Sequence, residues 1–290
     1  MINFLKYRYF CFALSVAFLL VGLIAYFIKG GFTYHIDFSG GAELRISFEN
    51  KIDISKVRKA MSEKGWKNFV IQSIGNQGKE FIVRVGSKSL EGLENKFKKD
   101  IDSATPGNKM TIKNIDWVGA EVGSDMQKNA IFAVLLSLLV ILLYISIRSK
   151  YAYAIGAVVA IAHDILAVLV FLLLVGEPIS LSVVAALLAI LGYSLNDTIV
   201  IFSRIKENLI KMRGDSIYQI ANVSLNQTFT RTIRTSISTL LAVGSFYIFG
   251  GETLRGFALA MIAGTIIGTY SSIYIASPVM LSIISFKNLK

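Results

Sequence analysis

The sequence predicts an α-helical polytopic membrane protein: six transmembrane helices, with one α+β domain between helices 1 and 2. Three observations carry that expectation. Hydrophobic residues make up 54% of the 290, and the mean hydropathy is +0.60, as in chains that cross a bilayer several times. Six apolar runs approach or exceed the roughly 20 residues that a spanning helix needs. The polar residues collect in one large block, 29–128, between the first run and the second.

The net charge of +11 raises the question of a nucleic-acid partner, and its distribution answers it. Block 29–128 holds 17 Lys/Arg against 13 Asp/Glu; the other 13 basic and 6 acidic residues sit mostly at the ends of apolar runs. That is the footprint of membrane orientation, in which Lys and Arg collect in short cytoplasmic loops. No basic patch interleaved with aromatics is present, so no nucleic acid is expected. The single cysteine, Cys11, falls in an apolar run and excludes an intrachain disulfide.

Taken in order, the first run extends from Tyr9 to Ile28 behind Lys6 and Arg8. It is longer than a usual signal-peptide core and no Ala-x-Ala site follows, which predicts a retained helix with its amino terminus inside. In the polar block, Ala42–Phe48 alternates as a strand. Ser55–Lys64 is helical, with Val57, Ala60 and Met61 on one side and Gly65 as a stop. Phe69–Ile74 and Phe81–Val85 are strands joined by the polar turn from Gly75 to Lys79. Leu90, Leu93, Phe97 and Ile101 mark a second helix, and Met110–Val118 closes the set. The order βαββαβ is the ferredoxin-like split motif, which by itself implies no activity.

Five further spans are expected at about 129–147, 152–175, 180–203, 233–249 and 257–283. Arg148 and Lys150, then Arg204, Lys206, Lys211 and Arg213, then Lys287 and Lys290, alternate to the side of the amino terminus. Both termini are therefore expected in the cytoplasm and residues 29–128 outside it. A cytoplasmic loop, 204–230, separates the fourth span from the fifth. Within it Asp215-Ser216 is a helix cap, and Ile217 to Leu225 form either a simple connection or a helix along the membrane surface.

The fourth span contains what an apolar run ought to exclude. Asn196-Asp197-Thr198 interrupts it, and a carboxylate inside a spanning helix costs about 2.5–3.5 kcal/mol on insertion scales. Asp197 is either a polar contact between helices, in the company of Gly192, Ser194 and Thr198, or a protonatable group in a coupling path. Arg204 lies two turns further along, where it reaches headgroups or a neighbouring helix. His163-Asp164 occupies the middle of the third span, so its charge is paired, hydrated or absent. Arg231 and Arg234, among threonines, begin the fifth span as anchors or as the lining of a hydrated path. Glu121 and Asp125 read as a solvated helix entrance.

Two intramembrane aspartates also raise aspartyl intramembrane proteolysis, but Tyr193-Ser-Leu-Asn196 precedes Asp197 where such enzymes carry Gly-x-Gly. No His-Glu-x-x-His, Gly-x-Ser-x-Gly or phosphate loop occurs, and the only histidines are His35 and His163. Neither an enzyme nor a bound metal or cofactor is expected.

Four stretches carry a resemblance. Ile36-Asp-Phe-Ser-Gly-Gly41, Val118-Gly-Ala-Glu-Val-Gly123, Leu191 to Asn208 with its Gly-Tyr-Ser-Leu-Asn-Asp core, and Asn226 to Ser236 together resemble the SecD/SecF family of bacterial protein-export membrane proteins, in the resistance-nodulation-division superfamily. His35 stands where the family has glycine, and Ala120 where it has proline. The resemblance implies a SecD partner of matching design, the SecYEG channel, SecA, a preprotein substrate and the bacterial inner membrane with its lipid. It implies use of the proton-motive force, with Asp197 and Arg231, and less directly Asp164, in proton conduction. Tyr193, Asn196, Thr198, Arg204 and Arg234 would support them. A proton-coupled small-molecule efflux transporter of the same superfamily and a non-conducting scaffold of the translocon stand as alternatives.

Overall fold

A computed structural model describes residues 1–66, 69–75, 78–86, 91–148 and 151–288. Leu90, Lys150, Lys290 and the middle of the turn after Gly75, all used above, lie outside those residues. The chain forms two compact units, Tyr34–Asn129 on the one hand, and Met1–Thr33 with the residues from Ala130 onward on the other.

In the smaller unit, a short helix α2 (Ile36–Ser39) leads into β1 (Gly41–Phe48), α3 (Ile54–Glu63), β2 (Phe69–Ile74), β3 (Glu80–Val85), α4 (Leu93–Ala104) and β4 (Met110–Val118). The strands form one antiparallel sheet in the order β2-β3-β1-β4. Strand side chains alternate between faces, so Ala42, Leu44, Ile46 and Phe48 of β1 are buried while Glu43, Arg45 and Ser47 take the other face. The buried row meets Phe81, Val83 and Val85 of β3, Val57 and Met61 of α3, and Phe97 and Ile101 of α4. The Asp53 side chain accepts the Ser55 N–H at 2.7 Å and starts α3, and Gly65, at φ +80°, follows its end.

The larger unit begins with a 3₁₀ turn (Phe4–Tyr7) and α1 (Arg8–Lys29). It continues through α5 (Ala120–Arg148), α6 (Tyr151–Val175), α7 (Leu181–Lys211), α8 (Ile217–Phe249) and α9 (Gly251–Ser271), a π-helical turn (Ser272–Ala276) and α10 (Ser277–Asn288). Among the described residues, six helices are long and apolar enough to cross a membrane. α6, α7 and the α9–α10 span are the most buried; α1 and α5 expose apolar side chains over most of their length.

Small residues set the closest approach. Gly256, Ala260, Gly264, Gly268 and Ser272 recur every fourth residue and form one stripe along the last span. A Cβ on Gly264 would fall 2.2 Å from the Ile190 side chain, and one on Gly268 3.1 Å from Ser194. Ile190 and Ser194 are likewise four residues apart, so α7 and α9 run side by side in the same direction.

The expected loop 204–230 is corrected. α7 continues to Lys211 and α8 begins at Ile217, with the Ser216 hydroxyl accepting the Gln219 N–H at 3.3 Å as its cap. The helix foreseen along the membrane surface is the first turns of α8. Its apolar side is covered by protein, because Ala221 and Leu225 join Phe4 and Ile205 in one buried cluster. The polar residues that obscured this continuation pair with each other: Asn208 Nδ2 donates to the Ser224 hydroxyl at 2.8 Å, and Arg204 Nε to Gln227 Oε1 at 2.7 Å.

Candidate functional site

The middle of α7 presents two polar faces, separated by helical spacing. Tyr193 and Asp197 are four residues apart and turn towards α8; Ser194 and Thr198 are also four apart and turn towards α6 and α9. The Tyr193 hydroxyl donates to Ser236 Oγ of α8 at 3.1 Å, and Ser236 in turn shares a hydrogen bond of 2.7 Å with Thr269 of α9. On the other face, Ser194 Oγ donates to Asp164 Oδ2 of α6 at 2.6 Å, and Thr198 Oγ1 shares a hydrogen bond of 2.9 Å with Ser272 Oγ. Hydroxyl groups thus tie four helices together at one depth.

Within this layer the two carboxylates differ in kind. Asp164 is fully buried and doubly engaged, with Ser194 at Oδ2 and the ring of its neighbour His163 3.2 Å from Oδ1. Asp197 is 3% exposed, and its Oδ2 is buried with no hydrogen-bond partner among the described residues. The Arg231 guanidinium and the Thr235 hydroxyl, one turn apart on α8, are the polar groups that act on its charge. Arg231 does so without closing an ion pair, and its own side chain is exposed. An unpartnered buried polar atom costs about 1–3 kcal/mol, so Asp197 is held in an environment that does not fully satisfy it.

The expected residues are thus divided. Asp197, Arg231, Asp164, Thr198 and Tyr193 belong to the layer; Asn196 and Arg234 are exposed; Arg204 lies two turns away in the Gln227–Glu207 network. Asp125 pairs with Lys128 at 3.2 Å on an exposed stretch of α5, a solvated entrance as anticipated. Sequence reasoning singled out neither Ser272 nor Thr269. The signal existed in Ser272's place at the end of the small-residue stripe, where Ser277 Oγ donates to its carbonyl across the π turn.

The fold and this layer define a class: a polytopic membrane protein whose spans enclose a carboxylate facing a cation on the next helix, with one α/β unit inserted after the first span. Comparison with known proteins narrows the class. A family model described as the C-terminal region of protein export membrane proteins SecD/SecF matches residues 97–285. Protein translocase subunit SecF of Pseudomonas aeruginosa is 38% identical over 280 residues, covering 97% of this chain and 90% of that one. SecF of Escherichia coli O157:H7 is 36% identical, covering 97% and 87%. The crystal structure of SecDF from Thermus, a translocon-associated membrane protein, superposes with a TM-score of 0.87 at 34% identity. SecDF in a super-membrane-facing form gives 0.71 at 33%. Each covers 99% of this chain, which spans 39% of the SecDF chain. The chain belongs to the SecF family of protein translocase subunits.

Proposed function

We propose that the chain works as the SecF half of a SecD–SecF pair that draws on the proton-motive force to complete preprotein export beside SecYEG and SecA. Its unit 34–129 lies on the outer side of the inner membrane and both termini on the cytoplasmic side, in keeping with the basic residues at alternate span ends. The outer unit is ferredoxin-like: its order β2-β3-β1-β4, antiparallel throughout, is that of a split βαββαβ sheet. The chain does no covalent chemistry on its substrate.

Asp197 is the group that takes up and releases protons. The observation that carries this reading is its buried Oδ2, unpartnered among the described residues, on a carboxylate that feels the Arg231 charge without forming an ion pair with it. A carboxyl satisfied in one protonation state resists change; one left incomplete, beside a cation free to approach or withdraw, converts protonation into helix movement. Each charge that crosses the membrane delivers about 2.3 kcal/mol per 100 mV, enough over a few protons to reset a helix packing. Asp164, already doubly hydrogen-bonded, positions α7 through Ser194, one turn from Asp197.

The test is Asp197→Asn, which keeps shape and removes the titrating group. Abundance and assembly with SecD are expected to be unchanged, while late-stage export in cells falls and proton flux in vesicles holding the pair drops to that of empty vesicles. Unimpaired export and flux would leave the chain a structural subunit.

A further inference from the structure

At the start of the first span a cavity of about 460 Å³ is lined by Lys6, Arg8, Tyr9, Tyr218, Gln219 and Asn222. Its walls come from the amino-terminal ends of α1 and α8, both membrane-spanning helices, which places it at the depth of lipid headgroups. The Arg8 guanidinium lies 4.6 Å from the ring centroids of both Tyr9 and Tyr218 and donates to the Tyr9 hydroxyl at 3.1 Å. The two rings hold it in place without neutralising it. Neither Lys6 nor Arg8 forms an ion pair with a carboxylate among the described residues. Two cations thus face one cavity with no ion-pair partner among the described residues.

The Asn222 wall is held by its Nδ2, which donates to the Ile2 carbonyl at 3.1 Å, while its Oδ1 is shielded from the cavity. A ligand that completes the cavity therefore offers a phosphate to Arg8 and Lys6. We propose that the cavity binds the headgroup of an anionic glycerophospholipid, with the phosphate at Arg8 and Lys6. Charge-assisted contacts from a Lys/Arg pair favour a headgroup with net negative charge over a zwitterionic one. The bound lipid would seal the junction between the first and fifth spans, where Asn226 already clasps Ile2 through the Ile2 N–H and carbonyl, each at 2.8 Å.

The experiment is native mass spectrometry of the full chain released from nanodiscs of phosphatidylcholine containing one-fifth phosphatidylglycerol or one-fifth phosphatidylethanolamine. The wild type is expected to retain phosphatidylglycerol in excess over both other lipids. Each basic residue near an anionic headgroup is worth about five-fold in affinity, so Lys6→Gln/Arg8→Gln should lower retention about 25-fold. Lys211→Gln/Arg213→Gln removes the same charge from outside the cavity and should leave the excess in place. Lys6→Gln alone, on an exposed side chain, should lower retention about five-fold even if the double variant folds poorly. Equal retention of the three lipids, equal loss in both double variants, or displacement of the lipid by inorganic phosphate would each overturn the proposal.

Discussion

A carboxylate stands on either side of His35: Asp37 Oδ1 lies 3.0 Å from Nδ1, and Glu43 Oε2 lies 2.9 Å from Nε2. Burial works against a charge on the ring, but the hydrogen bonds and charges of Asp37 and Glu43 outweigh it and push the His35 pKa up to about 9. Burial likewise opposes the Glu43 charge, and His35 with Arg84, whose Nε is 2.6 Å away, holds the carboxyl below its usual range. A histidine whose folded pKa lies above its unfolded value stabilises the fold fully below about pH 6.5. That contribution, at most on the order of 3 kcal/mol, is lost as the pH rises through about 9. Because the chain has only two histidines, selective ¹³C-histidine labelling resolves the titration, and an inflection near pH 9 is expected for His35. His35→Gly should flatten the fall in thermal midpoint between about pH 7 and 9. An inflection near 6.5 would mean that the clamp does not form. Asp37 could be seen beside His35 in the sequence, but Glu43 could not, because their meeting depends on how α2 joins β1.

For the helices, the decisive quantity is distance between backbones. Gly264 has no room for a side chain, since the Ile190 side chain lies 2.2 Å from where its Cβ would be. Gly264→Val is therefore expected to lower stability by about 1–3 kcal/mol through overpacking, measured as a drop in thermal midpoint in detergent. Gly192, on the neighbouring helix, has nothing within 4 Å of its Cβ position, and Gly192→Ala should be neutral or stabilising by up to about 1 kcal/mol. Equal effects at the two sites would remove the packing argument. The small-residue stripe was present in the sequence as a four-residue period, yet it pointed to no partner until Ile190 and Ser194 were seen against it. The existence of each span was legible from hydropathy alone. The start of α8 was not, because Asn222, Asn226, Gln227 and Arg231 dilute its apolar content until the last span-length stretch. The helix persists there because Asn208, Ser224, Arg204 and Gln227 satisfy one another between α7 and α8. The candidate site shows the same limit. Asp197, Arg231 and Asp164 stood out as charges in apolar runs, whereas Ser194, Ser236, Thr269 and Ser272 are ordinary hydroxyls whose importance lies in which of them meet.

At the scale of the molecule, the two units answer differently to being taken apart. The core of the smaller one is closed: Leu44, Ile46, Met61, Phe81, Phe97, Ile101 and Met110 are all within 1% of full burial, and every residue of that cluster lies between Ala42 and Ile115. Its sheet uses strands from the same segment only, so no hydrogen-bond ladder is cut by excision. Residues 34–119, expressed alone, are expected to be soluble and to melt in one cooperative transition with mixed α/β circular dichroism. Domains near this size do fold independently, though their margin is only about 5 kcal/mol, so Phe97→Ala, which costs about 3–5 kcal/mol, should abolish the transition. The spanning unit lacks such closure. Phe10, Leu14 and Ile24 of α1 and Phe132, Leu135 and Leu139 of α5 are exposed along faces with no cover among the described residues. In a bilayer those faces meet lipid tails or another membrane subunit; in water nothing covers them. Removal of detergent should therefore precipitate the full chain and leave the excised segment monodisperse by size-exclusion chromatography. An excised segment that aggregates alongside the full chain would show that the smaller core depends on the spans to hold it, and the division into independently stable units would fail.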